Sequence, residues 1–251
     1  LDACILTSAT LSTGGTFDYL KKRLGLPDSA EYMQLASPFD YDKRTRTYVP
    51  EATFPEPPAA DFQEEVCSRV KELIELAQGR SLVLFTSFRG MDAVAEYLEE
   101  ELDFPVYVQG QLPRRTLLEK FAKETNSVLL AVASFWEGVD VPGESLSCVI
   151  IDKLPFEVPS DPVFKARVDE IQAAGGKPFF DFQIPRAILS LKQGVGRLMR
   201  SSSDKGVIAI LDVRLFSKGY GRSFRKSLPP SPIVRTLEPL KEVLKEVDDL
   251  D

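Results

Sequence analysis

Four short runs of mostly apolar residues set the tightest limit on this chain: Leu82-Val83-Leu84-Phe85-Thr86, Val128 to Ala133, Ser147 to Asp152 and Gly206 to Asp212. Each has the length of a strand and is too short for a buried helix. None alternates polar and apolar positions, so each reads as a strand covered on both faces. Amphipathic stretches lie between them. A helix fits Asp61 to Gln78, with Phe62, Val66, Val70, Leu73, Ile74 and Ala77 at helical spacing and Gly79 closing it; others fit Met91 to Leu102 and Pro113 to Lys123. Val106 to Val108 and Arg46 to Pro50 are shorter strand candidates. The alternation predicts an α/β fold, a mainly parallel sheet with helices on both faces. Ligands of such sheets bind beyond the carboxyl ends of strands. Thr86-Ser87, Ser134 to Asp140 and Asp152-Lys153 fall there.

Around this block the chain is punctuated. Leu1 to Leu11 carries no initiator Met and has an apolar strand pattern, which suggests a fragment of something longer. Phe17 to Leu24 reads as a short helix stopped by Gly25, and Phe54-Pro55-Glu56-Pro57-Pro58 as a connector. The expected division is 1–58 as a lead-in, 59–233 as the main domain with a small helical insertion at about 159–183, and 234–251 as a final helix with an acidic tail. Phe179, Phe180 and Phe182 in the insertion suit either core packing or a base-stacking surface.

Composition removes several chemistries. With no histidine, His-based triads, general bases and metal sites are excluded. The three cysteines lack metal-ligand spacing, so no metal site is expected. No apolar run approaches the ~20 residues that span a bilayer, which points to a cytoplasmic protein without a membrane partner. The net charge of −7 argues against a wholesale polyanion binder but leaves room for a local basic groove.

The sharpest chemistry lies in Gln193-Gly194-Val195-Gly196-Arg197-Leu198-Met199-Arg200. If Ile184 to Arg200 forms one helix at about 100° per residue, Gln193, Arg197 and Arg200 share a narrow arc, with Arg186 in line two turns earlier. Ile188, Leu191, Val195 and Leu198 then make the docking stripe opposite. Guanidinium groups held this way suit phosphate oxygens. A solvated basic face is the plain alternative.

The chain resembles the second motor domain of a superfamily 2 helicase of the DinG/XPD-like group. The resemblance is carried, in order, by Thr7 to Leu11 (similar to motif III), Leu84 to Ser87 (motif IV), Ser134 to Gly143 (motif V) and Gln193 to Arg200 (motif VI), with Lys153 to Phe156, Asp212 to Arg214 and Tyr220 to Arg222 adding to it. It implies a RecA-like fold of the P-loop NTPase type and an ATP-dependent DNA helicase acting in repair or replication, with 5′→3′ polarity. Arg197, Arg200 and Gln193 would act on the γ-phosphate, and Gly138, Asp140, Glu137 and Gly196 would face the nucleotide. Thr86, Ser87, Arg89, Ser134 and Phe135 would hold nucleic acid, with Trp136 either beside them or buried; Ser8 and Thr10 would couple hydrolysis to unwinding.

No phosphate loop and no acidic Mg²⁺ box are present in the 251 residues. The resemblance places both in a preceding first RecA-like domain of the same longer chain, which would bind most of the ATP with Mg²⁺. It also places there the iron–sulfur cluster that some members carry. The implied partners are that domain and single-stranded or forked DNA. The strand-end loops are expected to form a wall facing the arginines. The rival function is a non-catalytic nucleic-acid-binding or interaction module that keeps the fold, and a translocase within a nuclease or remodelling assembly is a further one.

Overall fold

The computed structural model describes residues 4–132, 135, 143–157 and 161–248. Its elements run α1 (Asp18–Leu24), α2 (Tyr41–Arg44), β1 (Thr45–Tyr48), α3 (Phe62–Leu76), β2 (Ser81–Phe85), α4 (Phe88–Glu101), β3 (Val106–Val108), α5 (Arg114–Lys123), β4 (Val128–Val132) and β5 (Cys148–Ile151). There follow α6 (Pro162–Ala173), a π-helical turn (Phe179–Gln183), α7 (Ile184–Val195), β6 (Gly206–Ile210), α8 (Arg214–Ser217), α9 (Gly221–Ser227), β7 (Ile233–Val234) and α10 (Glu238–Asp248). Among the described residues the strands make one seven-stranded sheet, ordered β3-β4-β2-β5-β6-β1-β7, with every pairing parallel.

The unbroken apolar runs explain the layering. Leu82, Leu84, Val149, Ile151, Ile208 and Ile210 point to a face covered by α5, α7 and α9. Their neighbours Val83, Phe85, Ile150, Val207 and Ala209 point to the face covered by α3, α4 and α10. Each such side chain larger than Ala209, taken from water, contributes roughly 1.5–3 kcal/mol before the ordering entropy is subtracted. Register keeps the strands level at their ends. Phe85 lies opposite Val132, Leu84 opposite Ile151, and Ile151 opposite Ile210. Thr86, Asp152 and Asp212 therefore leave the sheet close together at its carboxyl end.

Several boundaries differ from expectation. The lead-in 1–58 is not separate from the main domain, because β1 lies inside the sheet, paired to β6 along Thr45–Tyr48. The chain from Val234 is not all helix: Ile233–Val234 adds a strand beside β1, and α10 begins only at Glu238. Leu240, Val243 and Leu244 then seat α10 on the second face. The strand pattern near the start forms no strand over residues 4–11. Ile5 is 89% exposed and has no neighbouring ladder to complete. Helix α4 starts at Phe88 rather than Met91, because the Ser87 side chain accepts the Gly90 N–H at 3.2 Å and caps it. Among the described residues no helix is long and apolar enough to cross a membrane.

Candidate functional site

Among the described residues, the segment after α7 and the strand-end residues Thr86, Ser87, Asp152 and Asp212 lie at opposite ends of the sheet. At the amino end, Gly206 opens β6 where the chain from α7 crosses the Ser147 carbonyl. A Cβ at Gly206 would collide with that carbonyl and lie 3.0 Å from Leu198 Cδ1. Only glycine admits so close an approach. Arg44, next to the start of β1, donates to the Ser203 carbonyl at 2.9 Å and closes the same end. The segment Arg197 to Asp204 is thereby placed at the amino end. Thr86, Ser87, Asp152 and Asp212 lie beyond the other ends of the strands, about 16 Å away for a five-residue strand. For the described residues, the expectation that strand-end loops wall the arginine site is corrected.

The arginine segment also departs from one continuous helix. Ile184, Ala187, Ile188, Leu191 and Val195 are buried as expected, but α7 ends at Val195. Arg197 N–H bonds back three residues to Gly194 O at 3.1 Å, and Leu198 N–H to Val195 O at 3.3 Å. Gly194 and Gly196 weaken the helix, and burying Leu198 and Met199 favours a tighter turn. The shared arc of Gln193, Arg197 and Arg200 therefore does not extend through Arg200. A carboxylate fixes the arginine instead. Asp204 Oδ2 accepts the N–H of Arg200 at 2.6 Å and of Ser201 at 2.7 Å, while Oδ1 accepts the Ser201 hydroxyl at 2.6 Å. Arg197 Nε donates to the Gln193 carbonyl at 3.0 Å, a cation on the negative end of its own helix. Gln193 and Arg197 are half-buried; Gly196 and Arg200 are exposed.

Arg186 is engaged elsewhere. It pairs with Glu157 at 2.6 Å and lies over the Phe182 and Phe164 rings, so it docks the insertion. Phe182 is buried and Phe179 stacks on Phe156, which favours packing for these aromatics; only Phe180 is largely exposed, at 59%. Ser8 and Thr10 join each other, Ser8 Oγ accepting the Thr10 N–H at 3.2 Å. Beyond them Lys192, beside Gln193, donates to Ser12 O at 3.0 Å and is 3.4 Å from Ser12 Oγ. Burial pushes the Lys192 pKa down. This tie across 180 positions leaves no local signature in the sequence.

At the carboxyl end Asp152 organises the first motif. Its Oδ1 accepts the N–H of Thr86 at 3.0 Å and of Lys153 at 2.8 Å. Its Oδ2 accepts the Thr86 hydroxyl at 3.2 Å and pairs with Lys153 Nζ at 3.2 Å. Burial pushes the Asp152 carboxyl up to about 6 against the pull of Lys153 and the two amides. Both hydrogen-bond donors of Thr86 thus point inward, and the expected Thr86 contact to a phosphate is not available in this arrangement. Ser87 differs. Its oxygen caps Gly90 while its own proton remains to donate, and the first-turn amides of α4 have no carbonyl within the helix. Arg89 is exposed beside them. Phe135 is corrected to a core residue, 2% exposed with Arg114 over its ring at 5.0 Å, leaving no face for a base. Ser134, Trp136, Glu137, Gly138 and Asp140 lie outside the described residues.

Asp212 makes a second inward knot, accepting the Leu154 N–H at 2.8 Å, Arg214 N–H at 3.0 Å and Arg214 Nη2 at 2.6 Å. Arg214 also lies over Phe156 at 5.6 Å.

A level-ended parallel sheet with helices on both faces, a pinned arginine turn at one end and a capped helix start at the other describe a RecA-like domain. Residues 70–231 match the family model described as a helicase C-terminal domain, and the chain belongs to that family. It is similar to the ATP-dependent DNA helicase YoaA of Haemophilus influenzae, 44% identical over 97% of this chain and 38% of the relative. It is also similar to the ATP-dependent helicase DinG of Mycobacterium tuberculosis, 42% identical over 90% of this chain and 34% of the relative. The chain thus spans little more than a third of these proteins. A solved XPD helicase superposes on 76% of this chain and 35% of its own with a TM-score of 0.56 and 18% identity, a likeness of fold.

Proposed function

We propose that this chain is the second motor half of an ATP-dependent DNA helicase, in which ATP hydrolysis drives stepping along single-stranded or forked DNA, in repair or replication, with 5′→3′ polarity and in the cytoplasm. The observation that carries the reading is the Asp204-pinned turn, which presents Arg197 and Arg200 from a buried anchor at the end of α7. Such a turn suits a nucleotide whose phosphates are held by another domain. Arg197 and Arg200 would stabilise charge on the γ-phosphoryl group as it passes to water, a role worth ~10³–10⁵ in rate. Gln193 would accept or donate a hydrogen bond at a phosphate oxygen or the attacking water. Exposed Gly196 would admit close backbone approach. Glu137, Gly138 and Asp140 would complete the nucleotide side, and Ser8 and Thr10 would pass its state along the N-terminal segment.

The donor set fits the phosphate end of Mg–ATP. The 251 residues carry no phosphate loop or acidic Mg²⁺ box, and in this reading the first motor domain would hold the Mg²⁺. At the carboxyl end Ser87, Arg89, the amides opening α4 and Ser134 would take the DNA backbone, the sequence-independent contact a translocase needs.

The test is ATP turnover by the full-length protein with and without single-stranded DNA, beside the 251-residue chain alone. Strong stimulation by DNA in the full-length protein and negligible turnover by the isolated chain are expected. Unstimulated turnover, or robust turnover by the isolated chain that Arg197→Ala abolishes, would overturn the assignment.

A further inference from the structure

The carboxyl end of the sheet holds a buried anion where an anion-binding surface would be expected. A Cβ placed on Gly90 would lie 3.7 Å from Asp152 Oδ2, so this carboxylate stands against the first turn of α4. That turn carries the positive end of a 14-residue helix and the Ser87 hydroxyl. Asp152 is 2% exposed, yet Lys153 Nζ, which it holds, belongs to a side chain 26% exposed.

We infer that Asp152 restrains the nucleic-acid grip at this end by holding inward the Thr86 N–H, the Thr86 hydroxyl proton and the Lys153 ammonium that would otherwise turn to a phosphate. The inference rests on the reading that this end holds a DNA strand. Asp152 is a positioning residue: it touches no ligand and acts through Thr86 and Lys153. An internal carboxylate occupies the same donors that an external phosphate would recruit, so each phosphate passing the site finds fewer partners and leaves more readily. Replacing the acid by its neutral isostere changes that. In Asp152→Asn the side-chain oxygen keeps the two backbone amides. The new NH₂ group donates to Thr86 Oγ1, which reverses the hydroxyl and turns its proton outward. The Lys153 ammonium loses its counter-ion, keeps only the Phe62 ring at 5.9 Å, and turns to meet phosphate.

The experiment measures binding of a fluorescent oligodeoxythymidine to the full-length protein over a range of NaCl concentrations. For Asp152→Asn we expect affinity about threefold or more tighter at low salt, and a log K against log [salt] slope steeper by ~0.7, the value of one added single-strand phosphate contact. Asp152→Asn combined with Lys153→Met is expected to return the slope to that of the natural protein. An Asp152→Asn protein with unchanged or weaker affinity and an unmoved slope overturns the inference while leaving the helicase reading intact. A natural protein without affinity for the oligonucleotide overturns both. If Asp152→Asn does not fold, Lys153→Met alone carries the test. An ammonium already engaged by Asp152 leaves the slope where it was, and a slope shallower by ~0.7 shows Lys153 on phosphate in the natural protein and overturns the inference.

Discussion

At the amino end of the sheet Asp204 spends its oxygens on the main chain of Arg200 and Ser201 and on the Ser201 hydroxyl, which fixes a turn whose arginine reaches the surface. At the carboxyl end Asp152 and Asp212 also accept main-chain N–H groups, but they take in addition the Thr86 hydroxyl, the Lys153 ammonium and the Arg214 guanidinium, which draws those side chains into the protein. The same residue type builds a presenting surface in one place and a restrained one in the other. The difference lies in burial. Asp204 is half-buried in a loop, whereas Asp152 and Asp212 are 2% and 0% exposed and must be paired with whatever donors are near. A motor needs both behaviours, firm placement of charge where chemistry happens and a releasable grip where the track slides.

The contrast can be broken at three points. The largest effect is expected at Asp212. Asp212→Ala leaves the Arg214 guanidinium without the buried carboxylate it meets through Nε and Nη2, and should cost about 3–5 kcal/mol in a denaturant titration. A loss below about 1 kcal/mol would show that the inward knot is not a buried pair in the energetic sense. A smaller effect concerns Asp152. Burial pushes its carboxyl up to about 6, well above the usual carboxylate value of about 4. Its contribution to stability is therefore full below pH ~4 and is lost as pH rises through about 6. The stability of Asp152→Asn relative to the natural protein should rise across that window by on the order of 3 kcal/mol and level off above it. A flat difference would mean that the neighbouring donors fully offset burial. The smallest effect belongs to Asp204→Ala. Loss of a loop cap should cost roughly 1 kcal/mol, while ATP turnover of the full-length protein falls and oligonucleotide affinity stays put.

The strands and most helices were legible because unbroken apolar runs and helical spacing leave few other folds. Strand β1 was harder to place. Its Thr45-Arg46-Thr47-Tyr48 carries an exposed-looking pattern, and only its partner β6, far along the chain, makes it internal. The geometry of the arginine segment was misread. Glycines at 194 and 196 signal a weakened helix, but the tight turn depends on Leu198 and Met199 reaching core. Phe135 was placed among the nucleic-acid contacts because it follows a strand end within a motif; its burial and Arg114 over its ring make it a core residue instead. The inward pull of Asp152 on Thr86 joins two strands 66 positions apart and has no local sequence signal. Topology also explains why the two sites part. α7 returns to the start of β6, so a motif at its end cannot share a wall with the loop after β2.

The central claim is that the two ends do separate work, and one substitution tests it most directly. Arg200→Ala in the full-length protein is measured for ATP turnover at saturating single-stranded DNA and for oligonucleotide affinity without nucleotide. The account predicts turnover reduced by ~10³-fold or more with affinity within about twofold of the natural protein, because the proposed binding surface lies at the other end of the sheet. Turnover that survives, or affinity that falls together with turnover, would contradict it.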